Sequence, residues 1–226
     1  MKSKFLQRAL CTAGLAAAMA APALAEVTTI DFEGASLTGL YFADESFTQN
    51  GFKMTVDFDA GIVDRADPLD PNAPTGNATQ VYSQLNDGGL IVERSDGGLF
   101  DLLGFDAAFI PLNPAATGTT VMVAVGRFAD NSTDALAWLF APKNGSGFAF
   151  ANYSDTVDFA SFSQINQVEF FACVYDQSGI CATASQNNGQ FAIDNIQVGY
   201  VPEPGSLALV ALSLMGLAAS RRRSAR

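Results

Sequence analysis

Between Val27 and Tyr200 the apolar residues recur at about every second position, and almost nowhere with the three-to-four spacing of a helix face. Side chains of a strand point alternately to opposite faces, so this rhythm specifies a succession of half-buried strands. Segments 27–33, 51–58, 80–85, 90–95, 100–110, 119–128, 135–140, 148–153, 158–162, 167–175 and 190–200 read as strands. Turn formers stand between them: Asn50-Gly51, Asp87-Gly88-Gly89, Asp96-Gly97-Gly98, Asn113-Pro114, Asp130-Asn131 and Asn144-Gly145-Ser146-Gly147. Many short strands at regular spacing predict an all-β sandwich or barrel.

How such a sheet is buried follows from its rings. The chain holds 18 phenylalanines, and pairs such as Phe105 with Phe109, or Phe148 with Phe150, sit on one face of their strands. Two sheets packed face to face would enclose them. Tyr41, Tyr82, Tyr153 and the single Trp138 have polar edges that tolerate water, so these four are the candidates for an exposed sugar-binding platform, against the plainer reading of core packing. The segment 64–77 gathers Asp64, Asp67, Asp70, Pro68, Pro71 and Pro74 and reads as a solvated, proline-stiffened loop rather than a central strand. Four Asn-x-Ser/Thr triplets begin at Asn77, Asn131, Asn144 and Asn152, a pattern common by chance.

Charge and composition exclude several functions. From Glu26 to Glu203 the sequence carries all 23 acidic residues and only Lys53, Arg65, Arg94, Arg127 and Lys143 as bases. Nucleic acid and anionic lipid need a cationic surface, so neither is an expected partner. Histidine is absent, which removes the commonest general base and every Ser-His-Asp or Cys-His arrangement. A glycosidase needs only two carboxylates across a cleft, but no acidic motif stands out, and the chain is read as not an enzyme. Cys173 and Cys181 bracket a turn-like Asp-Gln-Ser-Gly, and in an oxidising compartment they are expected to form a disulfide closing a hairpin.

Both ends of the chain carry targeting features. Lys2, Lys4 and Arg8 precede an apolar stretch from Ala9 to Ala21 and then Pro22-Ala23-Leu24-Ala25, the pattern of a signal peptide cut by signal peptidase after Ala25. At the other end Val201-Pro202-Glu203-Pro204-Gly205 is followed by an apolar run from Leu207 to Ala219 and by Arg221, Arg222, Arg223 and Arg226. The prolines keep the first part extended and the arginines stay cytoplasmic, while the run is short against a span of about twenty residues. A transient inner-membrane insertion is therefore expected. Together these features resemble the PEP-CTERM sorting signal of Gram-negative bacteria, in which a Pro-Glu-Pro motif, a hydrophobic segment and a basic cluster are recognised by a membrane protease, the exosortase. The resemblance implies removal of the anchor near Pro202, Glu203 and Pro204, and delivery to the cell surface or extracellular matrix.

Ile30-Asp31-Phe32-Glu33-Gly34 near the start and Gln190-Phe191-Ala192-Ile193-Asp194-Asn195-Ile196 near the end resemble the opening and closing strands of galactose-binding-like and carbohydrate-binding jelly rolls, whose first and last strands are neighbours. Gln190-Phe191-x-x-Asp194 also resembles the signature of a PEP-CTERM subgroup named for its QFxxD pattern. In such jelly rolls acidic residues of the first and last strands often hold a structural Ca²⁺, and Glu33 and Asp194 fall at the matching positions. The other reading of Asp194 and Asn195 is a strand-end cap. The expected organisation is a signal peptide over 1–25, a jelly-roll-like β-sandwich over 26–200 and a sorting signal with a hydrophobic helix over 201–226. The expected role is that of a non-catalytic surface or matrix protein associated with exopolysaccharide, biofilm or floc. A carbohydrate-binding module with a defined glycan is the alternative, and behind it a His-free glycoside-active enzyme.

Overall fold

The computed structural model describes residues 26–34, 36–65, 73–111, 119–144, 147–155, 157–175, 179, 181 and 189–200. In chain order the strands are β1 (Val27–Ile30), β2 (Gly39–Phe42), β3 (Ser46–Gln49), β4 (Phe52–Val56), β5 (Ala60–Arg65), β6 (Gln80–Leu85), β7 (Gly89–Arg94) and β8 (Phe100–Ile110). They continue as β9 (Thr119–Phe128), β10 (Thr133–Leu139), β11 (Lys143–Asn144), β12 (Gly147–Phe148), β13 (Ala151–Tyr153), β14 (Ile165–Tyr175) and β15 (Gln190–Tyr200). One turn of 3₁₀ helix, Asp158–Phe162, interrupts them, and no α-helix occurs among the described residues.

Hydrogen bonding runs β2-β5-β6-β15-β8-β14-β7-β4-β3, with β9 and β10 continuing outward from β14, and the pairing of Ile165 with Phe100 forms the corner where this sheet folds onto itself. One layer consists of β2, β5, β6, β15, β8 and β13, with β1 beside β15. The other consists of β3, β4, β7, β14, β9 and β10. The result is a jelly-roll-like β-sandwich in which the first and last strands pair, Val27 opposite Gly199 and Ile30 opposite Ile196.

Alternation along the strands decides what lies between the layers. In the second layer Val56, Leu90, Phe170, Ala124 and Leu136 form one cross-strand row facing inward, while Lys53, Glu93, Gln167 and Arg127 form a row facing out. In the first layer the inward row is Val63, Tyr82, Ile193, Ala107 and Ala151. Phe105 on β8 is fully buried and packs against rings from several elements: Phe170 of β14 at 5.2 Å between centroids, Trp138 of β10 at 5.2 Å, Tyr153 of β13 at 5.2 Å and Phe159 of the 3₁₀ turn at 5.9 Å. Edge-to-face pairs of this kind add to the area they remove from water.

Two glycines mark where rings come too close for a Cβ. A Cβ on Gly61 would overlap the Tyr82 hydroxyl, and one on Gly126 would lie 2.5 Å from Phe162. The Tyr82 hydroxyl donates to Gln84 Oε1, and the buried Gln84 amide donates to the carbonyls of Phe58 and Ala60, at 2.9 Å each, and of Leu85 at 3.0 Å. A buried amide with all its donors satisfied pins the backbone around Asp59, whose φ is +62°.

Several sequence expectations shift. Residues 158–162 form a 3₁₀ turn, not a strand, because Phe159 and Phe162 stand three apart and a single helical turn buries both, which an extended segment cannot do. β2, β3 and β5 are not expected from the sequence, and β5 carries Asp64 and Arg65 into a strand lying between β2 and β6, so the loop reading fails for those two residues. Asp67, Pro68, Asp70 and Pro71 lie outside the described residues. Cys173 and Cys181 are joined by a disulfide, and Cys181 bridges to Tyr175.

The ring cluster sets a stability test. Phe105→Ala should cost about 3–5 kcal/mol in denaturant unfolding, because its neighbours belong to both layers and cannot all collapse into the void. Phe42→Ala, at a ring 57% exposed, should change stability by no more than about 0.5 kcal/mol.

Candidate functional site

The polar constellation richest in carboxylates and amides lies on the outward face of the first layer, where β15 is irregular. The register of β15 against β8 shifts between Asp194 and Gln197, and Asn195 takes a left-handed φ of +49°. Just before this bulge the regular ladder sets Asp194 directly across from Asp106 of β8, and Asn152 of β13 lies on the far side of Asp106. Two like charges are thus brought side by side, and amides separate them. Asn195 Nδ2 donates to Asp106 Oδ2 at 2.8 Å, and Asn152 Nδ2 donates to Asp106 Oδ1 at 2.7 Å. Asp194 is 1% exposed. Its Oδ2 accepts from Asn77 Nδ2 at 2.6 Å and from the Thr79 hydroxyl at 3.1 Å, and its Oδ1 accepts the Asn195 backbone N–H at 2.7 Å.

Both flanking arms are Asn-x-Ser/Thr triplets. In 77–79 the Asn77 Oδ1 accepts the Thr79 N–H at 2.7 Å and the Thr79 hydroxyl, a local turn that aims the amide and hydroxyl at Asp194. In 152–154 the Ser154 hydroxyl donates to Asn152 Oδ1 at 2.6 Å. Asp106, Asn77, Thr79 and Asn152 were not anticipated as a group. Their signals are an aspartate between Phe105 and Ala107 in a buried strand, and two triplets of a pattern common by chance.

Glu33 lies elsewhere on the first layer. It is exposed, and its Oε1 accepts the Gln80 N–H at 2.7 Å, while Gln80 Oε1 accepts the Gly34 N–H at 2.8 Å. These bonds fasten the segment after β1 to the start of β6. Glu33 Oε1 and both carboxylate oxygens of Asp194 already accept from N–H or O–H donors. Among the described residues no group of three or more Asp, Glu, Cys or His side chains is arranged to hold a metal ion.

The four polar aromatics anticipated as a platform are all used internally. Tyr82 is fully buried; the hydroxyls of Tyr41 and Tyr153 donate to the carbonyls of Leu37 and Leu139; and Trp138 is half-buried, stacked on Phe159 at 5.0 Å with its indole N–H 3.3 Å from Asp158. Pro202, Glu203 and Pro204 lie outside the described residues. No helix among the described residues is long and apolar enough to cross a membrane.

Comparison with known proteins separates tail from domain. Residues 201–223 carry the PEP-CTERM protein-sorting motif. The motif implies export and anchoring at the cell envelope or surface of a Gram-negative bacterium, with processing by exosortase. The domain is similar to the crystal structure of a DUF4465 family protein from Bacteroides caccae, with a TM-score of 0.51 at 11% identity over 76% of this chain and 98% of that one. It is more distantly similar to TmCBM61 in complex with beta-1,4-galactotriose, with a TM-score of 0.32 at 10% identity over 66% of this chain and 88% of the other. A family 11 carbohydrate-binding module from Clostridium thermocellum, in complex with a mixed-linked tetrasaccharide, aligns with a TM-score of 0.29 at 13% identity over 78% of this chain and 96% of that one. No curated protein matches the sequence.

Burial first, and then the Asp106 charge, push the Asp194 carboxyl up from the ordinary carboxylate value to about 6, against the opposing pull of its hydrogen bonds from Asn77, Asn195 and Thr79. A pKa raised by folding means that protonation favours the folded state. The added stability is complete below the ordinary carboxylate value and is lost as pH rises through about 6. Glu169, raised by burial and by Asp57, works in the same direction. Thermal unfolding should therefore show a higher Tm at pH 5 than at pH 7.5, with the Asp194 contribution to stability falling by about 1 kcal/mol between them. Asp106→Asn, which removes the neighbouring charge, should shrink that difference. An equal Tm at the two pH values would contradict the assignment.

Proposed function

We propose that this chain is a non-catalytic protein exported by way of its N-terminal signal, processed by exosortase at Pro202-Glu203-Pro204, and placed at the cell surface or in the extracellular matrix, where its β-sandwich works within the exopolysaccharide of a biofilm or floc. The observation that carries this reading is the sorting motif at residues 201–223, set directly behind a single β-sandwich. The absence of histidine and the strongly acidic composition support it, since they suit a soluble extracellular component better than a hydrolase. Placement in the QFxxD subgroup belongs to the same reading. Gln190, Phe191 and Asp194 are all buried in the first half of β15, which gives that spacing a structural purpose: Phe191 faces the core and Asp194 gathers the 77–79 turn.

A defined glycan ligand is the alternative, with Phe42 at the β2 edge as the contact. More than half of that ring meets solvent, unlike any of the tyrosines or Trp138. Structural Ca²⁺ at Glu33 and Asp194 remains part of the proposal, with the cation exchanging places with the Asn77 and Thr79 donors. Calorimetry with calcium, and a glycan array with and without chelator, test both finer readings. No heat of binding with an unchanged Tm removes the calcium, and glycan binding insensitive to Phe42→Ala removes that contact.

The main reading is tested by intact-mass analysis of protein shed from the native host and from a strain lacking the sorting protease. The expected mass has termini near Glu26 and Pro202 and is lost without the protease. A full-length tail persisting in the inner membrane of the normal host would overturn it.

A further inference from the structure

β10 is the longest edge strand of the sandwich, with seven residues against four in β2, four in β3 and three in β13. It pairs with β9 on one side, and among the described residues no strand lies along its other side. The Phe140 N–H donates to the Thr120 carbonyl and the Phe128 N–H to the Ser132 carbonyl, which fixes the phase of the ladder. Residues 134, 136 and 138 turn their N–H and C=O groups into β9, and Thr133, Ala135, Ala137 and Leu139 turn theirs outward.

Edges of this length are normally guarded by a charge, a proline or a bulge. From Ala135 to Leu139 the strand has no charged residue and no proline, and its register with β9 is unbroken. Side chains blunt only the two ends: Asp134 Oδ1 accepts the Ala135 N–H at 2.9 Å, and the Tyr153 hydroxyl donates to the Leu139 carbonyl at 3.0 Å. Between them, both main-chain groups of Ala137 have no partner among the described residues.

The outward face beside this edge is apolar. Ala137, Val123 and Phe171 form one cross-strand row, Leu139 stands beside Val121 and Cys173, which are already buried, and Ala135 stands beside Val125, with Glu169 one strand further from the edge. Leu139 is 66% exposed. On a chain with 23 acidic and 12 basic residues most surfaces would repel a second copy. This stretch is neutral.

We infer that the β10 edge joins two copies of this chain by antiparallel pairing about a two-fold axis through Ala137. Each Ala137 N–H donates to the Ala137 carbonyl of the other copy, Ala135 lies opposite Leu139, and the Asp134 and Tyr153 bonds at the ends give way to main-chain ones. The apolar rows of the two copies then form one continuous strip across the joint, which buries Leu139. A charged partner would gain nothing from this neutral face, and a second copy satisfies the open edge with its own matching edge.

The geometry makes residue 137 the self-facing position, at about 5.5 Å between Cα atoms in a hydrogen-bonded antiparallel pair, a separation a disulfide accommodates. The test uses the full chain in mild detergent, comparing Ala137→Cys, Ala135→Cys and wild type under mild oxidation, with wild type setting the background from Cys11. Ala137→Cys should give a covalent dimer at least several-fold above Ala135→Cys, whose cysteine would face Leu139. By light scattering at about 50 µM, wild type should be dimeric, and Ala137→Pro and Ala137→Arg monomeric with Tm little changed, since that N–H serves no internal bond. If Ala137→Pro alone lowers Tm, Ala137→Arg decides, because it keeps the N–H. Equal cross-linking at 135 and 137, a monomeric wild type, or a dimer that survives Ala137→Arg overturns the inference.

Discussion

The sandwich depends on β15 being inserted between β8 on one side and β6 with β1 on the other. The last strand of the domain therefore holds together the first strand, β6 and the long strand β8, with Phe191 opposite Phe109, Ile193 opposite both Ala107 and Tyr82, and Ile30 opposite Ile196. Removing β15 would leave β1 with no partner among the described strands and would open the row that buries Tyr82. Its far end is fastened separately: the Tyr200 hydroxyl donates to the Asn50 carbonyl at 2.7 Å, its ring lies 5.6 Å from Phe52, and the Arg94 guanidinium sits 4.8 Å above it. These contacts reach the second layer, so one strand joins both.

The regular ladder just before the bulge at Asn195 gives this strand a polar place on its outer side. Asp194 and Asp106 are paired there, three amides and a hydroxyl converge on their carboxylates, and the 77–79 turn is held down on the outer surface. A buried carboxylate that accepts this many hydrogen bonds behaves first as a fastener between segments far apart in sequence. That accounts for an aspartate only 1% exposed on the outer face more simply than chemistry does.

Long strands were legible in the sequence and short ones were not. β8, β9 and β15 were read to their ends because ten or eleven alternating residues leave no other periodicity to fit. β2 and β3 are four residues each, rich in Gly, Ser, Thr and Gln, too short to show a period, and only pairing with β5 and β4 makes them strands. Residues 158–162 misled because two phenylalanines in five residues suit a strand as well as a turn until Phe105 and Gly126 show where those rings must go. At the candidate site Asp194 was found through its place in the last strand. Asp106 and Asn152 were not, because only the register of β8 and β13 brings them to it, and register is a property of pairs of strands rather than of either alone.

Placing the final strand at the centre has a consequence for the order of events during export. Most of its partners are distant in sequence, Gln84 and Phe109 for Phe191 and Thr29 for Gln197, so this is a high contact-order fold in which early segments wait for late ones. The first layer cannot close until residue 200 is available. A chain emerging from its amino end would thus stay open and pliable through most of its passage, and it would become rigid only as the last dozen residues of the sandwich arrive.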